Sequence, residues 1–458
     1  MNLFSNKVPA QIPVPSTVLE TPPRSAAPAG SFLLKANKIK TWIKNLPLAN
    51  IEETGNQGDK ALAEFNRIEL GNLARSESIE LFRDPVHYVS SNIAMDYVDR
   101  GFPMSSKAKK SCQLSYELCM EMALSYKIVI KQQLSVRKGK FNRKLVIVAI
   151  QRALHYLGQA LLQSYLSYSD PRTGIWREIH FLYEWAAHNQ VHTLPVKETA
   201  GQGGQGVDLS IEDLYKSQLL MATISPQSLR HTQICKIHGQ INKWCRLTKL
   251  VAPQNAAGES GMFFVNLHSD SPPYRLSSQA VTKDSDLRVF DLNDLIAQLQ
   301  KNFEDADWES PARIEAEDEL LSRSLLKLLI DGWNKPPERR FARRSLNKSL
   351  DVVLGLNSLH HLLDEADLAG LIPATGKSGR GEDLDINLET WKPTAINEVY
   401  SVPTDDESIG GYRLRWEHSL PPKVRVGDIV GIQTDDPPGQ YALCIVRWLK
   451  YLQDDNFY

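Results

Sequence analysis

Through the first half of the chain, apolar residues recur in steps of three and four. Cys112, Tyr116, Cys119, Ala123, Tyr126 and Ile130 form one such stripe. That spacing predicts an amphipathic helix with both cysteines on its apolar face. A second stripe runs Ile147, Ile150, Leu154, Leu157, Leu161, Tyr165 and Tyr168, and a third Ile234, Ile237, Ile241 and Trp244. Together they predict a helical bundle over residues 33–252, with the stripes as core rather than as a cofactor or metal box. The uncharged run Ala153 to Ser169 contains Gln159, Gln163, Ser164 and Ser167 and is bounded by Arg152 and Asp170. It reads as a buried helix, not a membrane span.

The period changes after Ala257. Gly261 to Leu267 (GMFFVNL) predicts a strand, His268 to Pro273 a turn, and Val289 to Leu299 a helix capped by Asp291. This is a small α/β connector over residues 258–305. A linking helix is expected within 306–334, spanning 311–331, with Pro311 in its first turn and Gly332 at its end. A breaker cluster, Asn334 to Glu338, follows. Beyond it, short runs suited to strands occur at Asp351–Leu354, Tyr412–Trp416, Ile429–Gln433 and Tyr441–Trp448. Pro421-Pro422, Gly427-Asp428 and Pro437-Pro438-Gly439 punctuate them, which predicts a small β-barrel or sandwich over 335–458. Between Ser358 and Tyr400 the start reads as helix (Leu359, Leu362, Leu363) and Gly376 to Asp383 as a loop. The fold class expected is α+β.

Composition adds limits. A chain of 458 residues has room for two to four domains. Residues 1–32 carry Pro9, Pro13, Pro15, Pro22, Pro23 and Pro28, which predicts a disordered tail without a secretory signal peptide. The five cysteines contain no CxxC pair, so reduced thiols and a cytoplasmic location are expected. Cys235 and His238 lack the second pair that a zinc site needs. Lys plus Arg number 53 against 54 Asp plus Glu, a balance that argues against a DNA or RNA polymer as partner.

Gly201 to Gly206 spells G-x-G-x-x-G, but no strand precedes it, so it reads as a linker. His180 and Glu184 share a helix face and read as structural residues. GxSxG, Walker A and HExxH motifs are missing, and no catalytic or metal role is expected. Two other clusters carry chemistry. Arg339-Arg340-Phe341-Ala342-Arg343-Arg344 concentrates positive charge in a chain of net charge −1. It is either a solvated basic linker or an anion site, because the guanidinium fork fits phosphate and the guanine O6/N7 edge. Asp406 to Gly411 (DESIGG) is either an ordinary turn into a strand or a recognition loop. In the second case Asp406 and Ser408 offer hydrogen bonds, and Gly410 and Gly411 allow close approach.

Taken in order, the two clusters resemble the PilZ domain, a bacterial receptor module for cyclic di-GMP. Arg339 and Arg343 fit its RxxxR signature, with Arg340 and Arg344 a second match one residue on. Asp406, Ser408 and Gly411 fit DxSxxG, followed by VRVGDIVGI and ALCIVRWL. The segments Trp42 to Asn50, Ala61 to Leu70 and Trp176 to Tyr183 are similar to the helical region of FimW-like cyclic-di-GMP receptors, which are tied to type IV pili and surface attachment. The resemblance implies a sensor with no cofactor, in which Arg339, Arg340, Arg343, Arg344, Asp406, Ser408, Gly410 and Gly411 contact cyclic di-GMP. It also implies a protein partner for the helical domain, in the pilus or elsewhere, and recruitment to the cell pole. Two features depart from the usual module. About 60 residues separate the motifs, which implies an insertion, and the chain ends soon after VRWL, where another strand is expected. The alternative is a protein-interaction scaffold whose barrel no longer binds nucleotide.

Overall fold

The computed structural model describes residues 19–136, 141–197, 208–253, 260–275, 286–308, 310, 321–335, 341–356, 358–360, 362, 399–416, 424–435 and 438–452. The chain forms two compact units. One is Met1–Arg100 with Met104–Glu338, and the other is Gly101–Pro103 with Arg339–Tyr458.

The first unit is built on helices α1 (Ala36–Lys44), α2 (Ile51–Arg67), α3 (Asn72–Glu80), α4 (Arg83–Ile93), α5 (Ser106–Leu134), α6 (Arg143–Leu166), α7 (Ile175–His188), α8 (Ile211–Thr223) and α9 (His231–Trp244). Side-chain caps start several of them: Asn50 Oδ1 accepts from Glu53 N, Ser105 Oγ from Ala108 N, and Asn142 Oδ1 from Leu145 N. Ser210 and Asp213 form a reciprocal capping box on α8. The three apolar stripes lie in the core, every member buried except half-buried Tyr116. Helix α6 is long and apolar enough to cross a membrane by length and composition, but most of it is buried within the unit. Several charged and polar groups inside are paired. Lys127 Nζ meets Glu178 Oε2 at 2.8 Å, and the other carboxylate oxygen of Glu178 meets Arg172 at 3.0 Å. His180 is fully buried between the Tyr215 hydroxyl (2.8 Å) and the Ser271 carbonyl (3.0 Å), and burial pushes its pKa down to about 4.

Several local expectations are corrected. Residues 1–18 of the expected tail lie outside the described residues, but the segment from Leu19 onward packs. Leu19 is buried, Ser25 exchanges backbone hydrogen bonds with Arg67 and Glu69, and Phe32–Leu34 form a 3₁₀ turn. Backbone pairing orders this proline-rich stretch without an apolar face. Val289 to Asp291 are not helix. They belong to strand β3 (Leu287–Asp291), which lies between β1 (Lys249–Val251) and β2 (Met262–Asn266) in an antiparallel sheet. Val289 and Phe290 are adjacent and both fully buried, so the strand lacks alternation, and period alone cannot separate it from buried helix. Helix α10 (Asn293–Asp305) follows, and Asp291 Oδ1 accepts from Asn293 N without acting as its N-cap. The linking helix, α11, is Arg323–Asn334, capped by Ser322. Residues 311–320, including Pro311, lie outside the described residues. Gly332 sits inside its last turn, because Trp333 is buried and its indole donates to Thr223 Oγ1 at 3.0 Å. The G-x-G-x-x-G run also lies outside the described residues.

The second unit is a curled, fully antiparallel sheet of β4 (Arg344–Leu354), β5 (Val399–Ser408), β6 (Gly411–Leu414), β7 (Ile429–Asp435) and β8 (Pro438–Ile445), in the order β6-β5-β4-β7-β8. Val352, Val353, Val402 and Ile432 are buried along its middle strands, and Phe102 pairs with Val424 through two backbone hydrogen bonds. Residues 363–398, between β4 and β5, lie outside the described residues, as does the loop expected at Gly376 to Asp383. The protein is thus α+β, with a helical N-terminal region and a PilZ-like antiparallel C-terminal sheet.

Candidate functional site

The DESIGG segment is not a turn entering one strand. Asp406 to Ser408 are the last residues of β5, Ile409 and Gly410 form the tip of a tight hairpin, and Gly411 opens β6 opposite Ser408. The β5 assignment was hidden by Pro403 and by the acidic run Asp405-Asp406-Glu407, which are poor strand formers in isolation. Tertiary pairing overrides that preference here. Ser408 Oγ accepts from Gly410 N and donates to the Gly411 carbonyl, both at 3.3 Å, so the motif serine shapes the hairpin itself. Gly411 has φ of +142°, a conformation costly for any residue with a Cβ. At Gly410 the constraint is a neighbour: a Cβ would stand 3.1 Å from the Phe341 ring.

Phe341 thereby places the arginine segment against the hairpin. Arg343 Nη1 donates to Asp406 Oδ1 at 2.9 Å, across 63 residues of chain. Arg344 pairs with Glu407, its cross-strand neighbour. Successive strand residues point to opposite faces, so the two arginines meet two adjacent carboxylates on opposite sides of β5. Arg344 is largely exposed, whereas Arg343 lines a cavity of about 670 Å³ together with Ser408, Gly410 and Gly411. Its floor is apolar, with Val352, Leu354, Trp416, Val430 and Ile432. The structure thus brings together Arg343, Asp406, Ser408, Gly410 and Gly411, and places Arg344 on the other side of β5. Arg339 and Arg340 lie outside the described residues.

Two arginines and one aspartate join this cluster that sequence reasoning had not singled out. Arg413 Nε stands 3.0 Å from Asp406 Oδ2, and Arg415 Nη2 donates to Asp405 Oδ1 at 2.5 Å. The signal was the alternation Tyr412-Arg413-Leu414-Arg415 beside an acidic run, which places opposite charges across a strand pair. Two irregularities flank the site, one in β4 between Ser345 and Lys348 and one in β5 between Thr404 and Asp406. Bulges of this kind re-aim side chains at sheet edges.

The other candidates have structural partners. His180 is enclosed in the core, as described above, while Glu184 faces His268 at 3.4 Å. Among the described residues no group of three or more histidine, cysteine or acidic side chains could hold a metal ion.

Comparison with known proteins agrees with this arrangement. Residues 37–254 match the family described as "Cyclic-di-GMP receptor FimW, N-terminal domain". Residues 262–380 and 377–456 match "Cyclic-di-GMP receptor FimW, middle PilZ domain". The Cyclic-di-GMP receptor FimW of Pseudomonas aeruginosa is 26% identical over 462 residues, covering 91% of this chain and 75% of that protein. No solved structure matches. With both matched domains in sequence, and together spanning most of its length, the chain belongs to the FimW family of PilZ-domain receptors.

Proposed function

We propose that this protein is a receptor for cyclic di-GMP, a binding protein and not an enzyme. The observation that carries the reading is the union of the two motifs. Arg343 lies on Asp406 at 2.9 Å beside the Ser408–Gly411 hairpin, at the mouth of a cavity with an apolar floor. A cyclic dinucleotide with two flat guanines and two phosphates needs those parts: guanidinium forks for phosphate and purine edges, a carboxylate for guanine N–H donors, and an apolar wall for a base. In this reading Arg343 takes phosphate or guanine from the cavity side, and Arg339, Arg340 and Arg344 are further candidates for the ligand. Asp406 and Ser408 read a guanine edge, and Gly410 and Gly411 let the ligand approach the backbone.

The helical region is then the output, coupling ligand binding to a protein partner in type IV pilus function, twitching motility or surface attachment. The relative's printed name is the support for the ligand. A cytoplasmic location, with recruitment to the cell pole, completes the proposal. A second reading draws on the ion pairs. Arg343 and Arg344 already hold carboxylates, as they would in a scaffold that has lost its nucleotide. Thermal melting separates the two. A ligand that binds the folded state raises the midpoint by mass action. Cyclic di-GMP should raise it in a dose-dependent way while GTP and cyclic AMP do not. Equal midpoints in ligand and buffer would favour the scaffold.

A further inference from the structure

We infer that Arg413, which lies outside both signature motifs, is a positioning residue that holds Asp406 in place while Arg343 exchanges its carboxylate for ligand. The inference rests on the cyclic-di-GMP reading above. Asp406 is gripped from two sides, by Arg343 Nη1 on Oδ1 at 2.9 Å and by Arg413 Nε at 3.0 Å from Oδ2. The two grips differ in kind. Arg413 is inside β6 and is the cross-strand partner of Asp406 in the sheet register. Arg343 precedes β4; both arginines line the cavity and their exposure is similar, 42% for Arg343 and 37% for Arg413. The strand ladder holds the backbone of Arg413 opposite Asp406, whereas Arg343 stands just outside its strand, so Arg343 is the arginine that swings.

An arginine that turns its fork to a phosphate gives up or shares the carboxylate it held. A partly buried carboxylate left without a cation is costly. Asp406 is only 13% exposed, so it needs a second counter-charge at the moment Arg343 leaves. Arg413 supplies it without moving. The bulge between Thr404 and Asp406 strengthens this fixture. Adjacent strand residues ordinarily point to opposite faces. Here Asp405 and Asp406 both reach the same guanidinium, with Arg413 Nη2 3.8 Å from Asp405 Oδ2. Arg415 holds the other oxygen of Asp405 at 2.5 Å. A planar fork can span two carboxylates in this way, whereas an ammonium can hold one well.

Isothermal titration of the full chain with cyclic di-GMP tests this, using Arg413→Gln, Arg413→Lys, Asp406→Asn, Arg343→Ala and the double variant Arg413→Gln/Asp406→Asn. Arg413→Gln should bind about tenfold more weakly, the scale of losing the counter-charge of a partly buried carboxylate. Arg413→Lys should recover part of that loss. Arg413→Gln should add nothing in the Asp406→Asn background, because its effect runs through that carboxylate. Lys rescue keeps the test valid if the Gln variant folds poorly. Wild-type affinity in Arg413→Gln, with Arg343→Ala and Asp406→Asn both weakened, would overturn the role of Arg413 and leave the receptor reading standing. An equal loss in both backgrounds would also overturn it, since Arg413 would then act on the ligand or on the fold. No binding by the wild-type chain would remove both.

Discussion

Gly411 and Gly410 stand side by side in the hairpin, but they are glycine for different reasons. At Gly411 a Cβ meets nothing within 4 Å, yet φ is +142°. At Gly410 the backbone is ordinary, and a Cβ would stand 3.1 Å from the Phe341 ring. Replacing Gly411 with Ala forces backbone strain of about 1–3 kcal/mol. Against this, alanine restricts the unfolded chain and returns roughly 0.4–1 kcal/mol. The net local destabilisation is then about 1–2 kcal/mol. Gly410→Ala should cost less than about 0.5 kcal/mol, as for other surface changes, because Phe341 is 45% exposed and its ring can shift. Hydrogen exchange of peptides covering residues 399–416 reads this directly, since local opening carries its own free energy. Gly411→Ala should speed exchange about five- to thirtyfold, at 1.4 kcal/mol per factor of ten. Gly410→Ala should stay near wild type. Gly411→Asn should not rescue, because asparagine tolerates φ near +57°, well short of +142°. A larger effect at Gly410 than at Gly411, or no change at either, would refute the assignment of strain to Gly411.

Other outcomes concern the helical unit. Glu178→Ala leaves Lys127 buried without its carboxylate and should cost about 3–5 kcal/mol in urea unfolding, whereas Lys127→Met leaves Glu178 paired with Arg172 and should cost less. His180, held neutral by burial with a pKa near 4, takes up a proton far more readily when unfolded. Its contribution to stability is present above about pH 6.5 and lost as the pH falls towards 4, so His180→Phe should flatten the pH dependence of melting in that window. Asp59 has the opposite sign: burial, with Glu117 and Glu121 beside it, raises its pKa to about 6. Asp59→Asn should therefore raise the melting midpoint at pH 7, with the gain shrinking below pH 6 and gone near pH 4.

The helical core was legible because α5, α6 and α9 each repeat their apolar residues over several turns, so the period stands out from noise. Elements that depend on partners were not. Strand β1 has three residues, too few to alternate, and β3 looks like helix because both of its faces are covered. Strand β5 carries proline and three consecutive acids and becomes a strand only between β4 and β6. At the site, the signature letters identified Arg343, Asp406 and Ser408, but not what they do to one another. The sequence placed Asp406 in a turn or recognition loop before a strand, whereas it lies at the end of one. Pairing with β6 decides that, and the same pairing brings Arg413 and Arg415 to Asp405 and Asp406. Charge averaged over the chain hid this cluster, where four arginines and three acids meet within one strand triplet.

The central claim is that Arg343 and the Asp406–Gly411 hairpin form one cyclic-di-GMP site. Isothermal titration of wild-type chain and of Arg343→Ala with cyclic di-GMP tests it most directly, with hydrogen exchange confirming that the variant sheet is intact. The account predicts saturable binding by the wild type and a loss of at least about tenfold in the variant, the scale of a charge-assisted contact. Absence of heat with wild type, or equal affinity in the two proteins, would contradict it.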